Sequence, residues 1–158
     1  MILADGSGAF DNNDGTFTFL LNHEIGGTLG VERAHGQKGA FVSKWVMNKS
    51  DLSVVSGSDL IQNVKLWNKA TQTFDTYNSA NKSELSVFNR FCAAELAEPS
   101  AFYNTTNGKG SQARMLMNGE ESGAEGRAFA PFYGAVCDVH VLYSSLDFLL
   151  FSALDQHH

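Results

Sequence analysis

Asp14-Gly15-Thr16-Phe17-Thr18-Phe19-Leu20-Leu21-Asn22-His23-Glu24 is the stretch on which the reading of this chain turns. A tight-turn pair, Asp-Gly, leads into a short run of aromatic, β-branched and aliphatic residues. The run halts at Asn22 and then presents a carboxylate. A second stretch repeats the plan, Gly108-Lys109-Gly110-Ser111-Gln112-Ala113-Arg114-Met115-Leu116-Met117-Asn118-Gly119-Glu120-Glu121, with its asparagine 96 residues further on. Both read as strands entered from turns and ended by acidic side chains. A strand mouth lined with carboxylates is suited to a cation or a polar ligand.

Outward from that stretch, the turns carry the pattern. Asp5-Gly6 and Asp11-Asn12-Asn13-Asp14-Gly15 tolerate positive φ, which predicts a hairpin between Ala9-Phe10 and Thr16–Leu21. A calcium-loop reading of the same cluster fails on spacing. Counted from Asp11, an EF-hand loop needs Gly where Thr16 stands and Glu where Asn22 stands. Gly39–Met47 reads as a strand, turned by Asn48-Lys49-Ser50-Asp51 into Leu52–Ser56. Asn63–Asn68 alternates with period two and Thr73–Tyr77 follows a polar turn, while Phe88–Leu96 reads as a loop or a short helix.

The chain of 158 residues is the length of one domain, with 12 phenylalanines, 15 glycines, only 2 prolines and a net charge of −6. That balance argues against nucleic-acid binding, which needs a basic face to neutralise phosphates. Two cysteines, Cys92 and Cys137, are too few for a disulfide framework, and no CxxC pair marks a zinc site. Met1-Ile2-Leu3 runs straight into Ala4-Asp5-Gly6-Ser7-Gly8, so no export signal is read at the start and the chain reads as a piece of something longer.

The expected class is all-β. Propeller blades of four strands run about 40–50 residues, so a spacing near two blades predicts a partial β-propeller of two to three antiparallel four-stranded blades over residues 1–130. A β-sandwich with long loops is the alternative. From Pro131 the composition changes. Residues 131–158 form an apolar tail containing Phe148-Leu149-Leu150-Phe151, broken by Asp138, His140 and Asp147, so it does not read as a membrane span. An aberrant or out-of-frame end is one explanation. Open sheet edges in such a fragment would favour self-association.

Glu24, Glu120, Glu121 and Glu125 are the carboxylates placed just past apolar strands. Converging in twos or threes, they would bind a hard cation; singly, they are solvated strand-end charges. His23 and Glu24 point to opposite faces while the strand lasts. Arg33 and His35 lie in a glycine-flanked loop able to receive an anion, or form an ordinary loop pair. Cys92 is a softer ligand, favouring iron or zinc, unless it is simply a small buried residue. No Gly-x-Ser-x-Gly elbow or Walker loop is present.

The order strand, Asn22-His23-Glu24, long gap, Cys92, turn-rich gap, strand, Glu120-Glu121 resembles the N-terminal part of the PhoX-type alkaline phosphatases and their secreted relatives. The resemblance covers roughly residues 4–130. It implies a β-propeller exported to the periplasm or beyond, with calcium and iron as cofactors and a small phosphate ester as substrate. It implies Glu24, Cys92 and Glu120 or Glu121 as metal ligands. Two departures mark a diverged relative. Ala93-Ala94-Glu95 follows Cys92 where the family has a glycine-rich turn, and Asn118-Gly119 precedes the glutamates where it tends to have Thr-Cys. The chain would hold about half of such a site and by itself little or no activity. A non-catalytic, calcium-stabilised secreted propeller and an inactive truncated product are the alternative readings.

Overall fold

A computed structural model describes residues 3–122, 126–133 and 138–142, and within them every regular element but one is a strand. β1 (Leu3–Asp11), β2 (Thr16–Glu24), β3 (Phe41–Asn48) and β4 (Val54–Asp59) form an antiparallel sheet in chain order. β5 (Asn63–Asn68), β6 (Thr73–Tyr77), β7 (Phe91–Leu96), β10 (Arg114–Glu120), β11 (Ala128–Tyr133) and β12 (Asp138–Leu142) form a second sheet. Its order is β6-β5-β12-β11-β10-β7. A small hairpin, β8 (Tyr103–Asn104) with β9 (Lys109–Gly110), and one 3₁₀ turn, Glu84–Ser86, complete the described elements.

The protein is therefore all-β, and turn chemistry sets the hairpins as expected. At the β1–β2 turn Asn13 and Gly15 take positive φ, at 60° and 89°. Asp14 Oδ1 accepts from the Thr16 backbone at 3.0 Å and from its hydroxyl at 2.6 Å, and Asp11 Oδ1 accepts from Asn13 N–H at 2.8 Å. These carboxylates fold the turn. Leu52, also at φ 60°, closes the β3–β4 turn after Asn48.

The first sheet has the four antiparallel strands expected of a blade, and the second has six and includes one parallel pair, β12 beside β5. β12 lies between the β5–β6 hairpin and the β7–β10–β11 meander, and its pairing with β5 and β11 joins them into one sheet. Strand β11 runs through the 130/131 position at which the sequence changes character, and β12 lies wholly beyond it. Phe148–Phe151 lies outside the described residues. Phe91–Leu96, read from sequence as loop or short helix, is strand β7, pairing Leu96 with Leu116 and Ala93 with Gly119. The Ala-Ala-Glu-Leu composition favours helix, but the open edge of β10 supplies backbone partners that outweigh so weak a propensity.

One core serves both sheets. Leu20 and Val42 enter it from the first sheet, Val64, Leu66, Phe91, Leu116 and Phe129 from the second, and Leu60-Ile61 where the chain crosses between them. Phe88, Phe91 and Phe129 touch one another with ring centroids 5.0–5.3 Å apart. The sheets meet most closely where β1 lies over β7. A Cβ built on Gly6 would stand 2.2 Å from Ala94 N, and one on Gly8 2.4 Å from Leu96 Cβ. Gly6→Val is thus expected to push β1 off β7 and destabilise by about 1–3 kcal/mol, the usual cost of overpacking. A lowered urea midpoint would show it; an unchanged midpoint would mean that β1 is not held against β7.

Candidate functional site at the strand ends

The two asparagines that close the echoed runs meet in the interior. Asn118 Nδ2 donates to Asn22 Oδ1 at 3.3 Å, and Asn22 Nδ2 donates to the Ala93 carbonyl at 3.3 Å. The 96-residue repeat is thus a contact between β2 and β10 across the two sheets, with β7 holding the third corner. Just beyond this contact the strands end, and the predicted carboxylates emerge together.

Glu24, the last residue of β2, accepts from Arg90 Nε at 2.9 Å and from Arg90 Nη2 at 2.8 Å. Glu121 reaches the same Nη2 at 3.0 Å. Arg90 turns through a left-handed φ of 46°, and its backbone is pinned on both sides, donating to Ile25 O and accepting from Glu121 N–H. The hydrogen bond to Glu24 and the charge of Glu121 hold the guanidinium above its ordinary pKa.

Glu120 takes a different route. Its side chain is 2% exposed and is gripped by Arg127, with Nε 2.8 Å from Oε2 and Nη2 2.9 Å from Oε1. Asn89 N–H adds a third donor at 2.7 Å. Arg127 also donates to the carbonyls of Leu85, from Nη1, and Val87, from Nη2. One buried charge pair therefore ties the 85–90 segment to the end of β10. Such a two-pronged pairing is the geometry in which guanidinium and carboxylate bind most strongly.

Cys92 is a partly buried free thiol on β7, its sulfur 4.0 Å from the Gly119 carbonyl. Glu125 and Cys137 lie outside the described residues. The residues present do not suit the calcium and iron that the resemblance implies. Three of the implied ligands, Glu24, Glu120 and Glu121, already face arginine, and at Glu120, where both oxygens are taken, a cation would have to displace it. Among the described residues no group of three or more His, Cys, Asp or Glu side chains is placed to hold an ion.

Arg33 and His35 lie at this same end of the first sheet, where Phe41 beneath Arg33 pairs with His23, the neighbour of Glu24. Arg33 lies 3.4 Å above the Phe41 ring and its Nη1 lies 3.6 Å from Asp59, which balances its charge within the chain. Asp59 also accepts from Ala34 N–H at 2.9 Å. His35 is 1% exposed, packed on Phe88 at 4.8 Å, and neither ring nitrogen reaches a protein partner. Burial lowers its pKa to about 4, opposed by Asp59 and Glu32 and helped by Arg33. His23 stacks flat on Phe41 at 4.1 Å and its Nε2 lies 2.8 Å from Ser43 Oγ, which also accepts from Trp45 Nε1 at 2.9 Å.

The structure thus brings Glu24 and Glu121 together through Arg90, gives Glu120 to Arg127, and holds Arg33 on Phe41 and Asp59 and His35 on Phe88 at the same end of the sheets. Arg90, Arg127 and Asn89 were not singled out from sequence. Arg90 directly before Phe91-Cys92, and Arg127 shortly after the glutamates, were the available signals.

Comparison with known proteins found no matching family model, no matching curated protein and no matching solved structure. No helix among the described residues is long and apolar enough to cross a membrane.

Proposed function

We propose that this chain is a non-catalytic β-domain that serves binding or assembly, its strand-end glutamates acting as ionic ties within the fold. The observation that supports this reading is the commitment of Glu24, Glu120 and Glu121 to Arg90 and Arg127. A phosphoesterase centre of the kind the resemblance implies would use those carboxylates to concentrate positive metal charge on a phosphoryl group. Here both oxygens of Glu120 and one oxygen each of Glu24 and Glu121 face guanidinium, and Glu120 has no exposed face to offer.

The purified chain, assayed on an aryl phosphate with added calcium and iron, is expected to show no turnover above buffer. Its melting temperature is expected to be the same with calcium and with EDTA. A calcium-dependent rise in melting temperature that disappears in Glu120→Gln would overturn the proposal, as would metal-dependent hydrolysis lost in Cys92→Ser.

A further inference from the structure

In an Asn-Gly pair the backbone nitrogen after the asparagine is unshielded, because glycine carries no Cβ, and it lies within reach of the asparagine's own side-chain carbonyl. The chain has two such pairs, Asn107-Gly108 and Asn118-Gly119. As sequences they are chemically alike. The fold makes them opposites.

Asn118-Gly119 is locked in β10. Asn118 is buried, its Nδ2 donating to Asn22 Oδ1. Both residues are laddered on two sides, to Ala94 and Ala93 of β7 and to Phe129 and Ala128 of β11. Bringing Gly119 N onto the Asn118 side chain would require rotation about backbone bonds that both neighbouring strands hold.

Asn107-Gly108 lies in the β8–β9 turn. Every residue from Asn104 to Gly110 is exposed, and two pairs, Tyr103 with Gly110 and Asn104 with Lys109, close the hairpin. Gly108 takes φ 70°, and a Cβ built on it would meet nothing nearer than the Tyr103 hydroxyl at 3.9 Å. Lys109 N–H donates to Asn107 Oδ1 at 3.0 Å, drawing electrons from the amide carbon. One bond opposes reaction, since Gly108 N–H donates to Asn104 O at 2.9 Å. A segment so exposed and held by so few bonds opens at little cost.

We propose that Asn107 is a self-modifying site, the fold admitting deamidation at the β8–β9 turn and withholding it from β10. Gly108 N, giving up its proton to solvent base, attacks Asn107 Cγ. The Cγ–Nδ2 bond breaks and ammonia leaves, closing a five-membered succinimide. Water then opens the ring at one carbonyl or the other and leaves aspartate or isoaspartate. One water is consumed, one ammonia is released and one carboxylate is gained, which takes the formal charge from −6 to −7. Isoaspartate routes the backbone through the side chain and lengthens it by one carbon, so the Asn104–Lys109 pairing loses its register. The proposal does not draw on the ionic ties of Glu24, Glu120 and Glu121, so it stands or falls separately from the reading given above.

The full chain, held for weeks in mildly alkaline buffer, then digested and read by mass spectrometry, provides the test. The peptide carrying residue 107 is expected to convert to its acid forms at least about tenfold faster than the one carrying residue 118. That factor needs the turn to open more cheaply than β10 by only about 1.4 kcal/mol. In unfolding urea the two rates are expected to converge. Asn107→Gln, whose longer side chain closes the ring poorly, is expected to leave its own peptide unchanged, with circular dichroism as in wild type. Absence of conversion at 107 would overturn the proposal, and so would equal rates in the folded chain. A ratio that urea does not change would overturn it as well, since neighbouring residues and not the fold would then set the difference.

Discussion

Arg127→Met is expected to lower folding stability by about 3–5 kcal/mol, because it strands a buried carboxylate without its counter-charge. Glu120 is nearly inaccessible, and two of its three donors come from the Arg127 guanidinium. Removing that group also frees the Leu85 and Val87 carbonyls, so the 85–90 segment loses its tie to β10. The loss should appear as a lower urea midpoint. The double variant Glu120→Gln with Arg127→Met should lose clearly less than the sum of the two single variants, since most of each single cost is the unpaired partner. Arg90→Met offers a contrast. Its side chain is half-exposed, and its pairs with Glu24 and Glu121 are open to solvent screening. The midpoint should hardly move. Equal sensitivity at positions 90 and 127 would contradict the distinction drawn between the exposed and the buried pairs.

Stability is also expected to fall as pH drops from about 6.5 to about 4, by on the order of 3 kcal/mol from His35 alone. Above the ordinary histidine pKa the ring is neutral in both folded and unfolded chains, and it contributes nothing to the slope. Between the two values the unfolded chain takes up a proton that the folded chain refuses, so acid favours unfolding. The cause is burial against Phe88. Asp59 and Glu32 lean the other way, and Arg33 reinforces the depression. His23 is lowered too, by burial and by Arg33, and adds a smaller slope of the same sign. Asp11, Asp14 and Asp51 are held below the usual carboxylate value by hydrogen bonds, from Lys49, Thr16 and Ser53 respectively. Their contribution is lost only as pH falls below the carboxylate range, in a separate window. Unfolding midpoints of His35→Gln from pH 4 to 7 should therefore be markedly flatter than those of wild type. Parallel curves would show that His35 does not govern the acid response.

The local part of this protein was legible in its residues. Asp-Gly and Asn-rich turns identify the β1–β2 hairpin, because few other residues accept positive φ there. Period-two alternation identifies β5, because only a pleated strand sends successive side chains to opposite sides. What the sequence could not supply was partnership. Glu24 and Arg90 lie 66 positions apart, and Glu120 reads as a free strand-end charge until Arg127 is seen to fold back over it. Asn22 and Asn118 look like two repeats of one motif and prove to be one contact. Phe91–Leu96 becomes a strand only because β10 offers it an edge. A carboxylate's role depends on which charge the fold brings within about 3 Å of it, and that distance is set by packing between segments remote in the chain. The residues of Thr16–Glu24 determined a strand with a charged end; only the tertiary structure decided that the charge is answered by arginine.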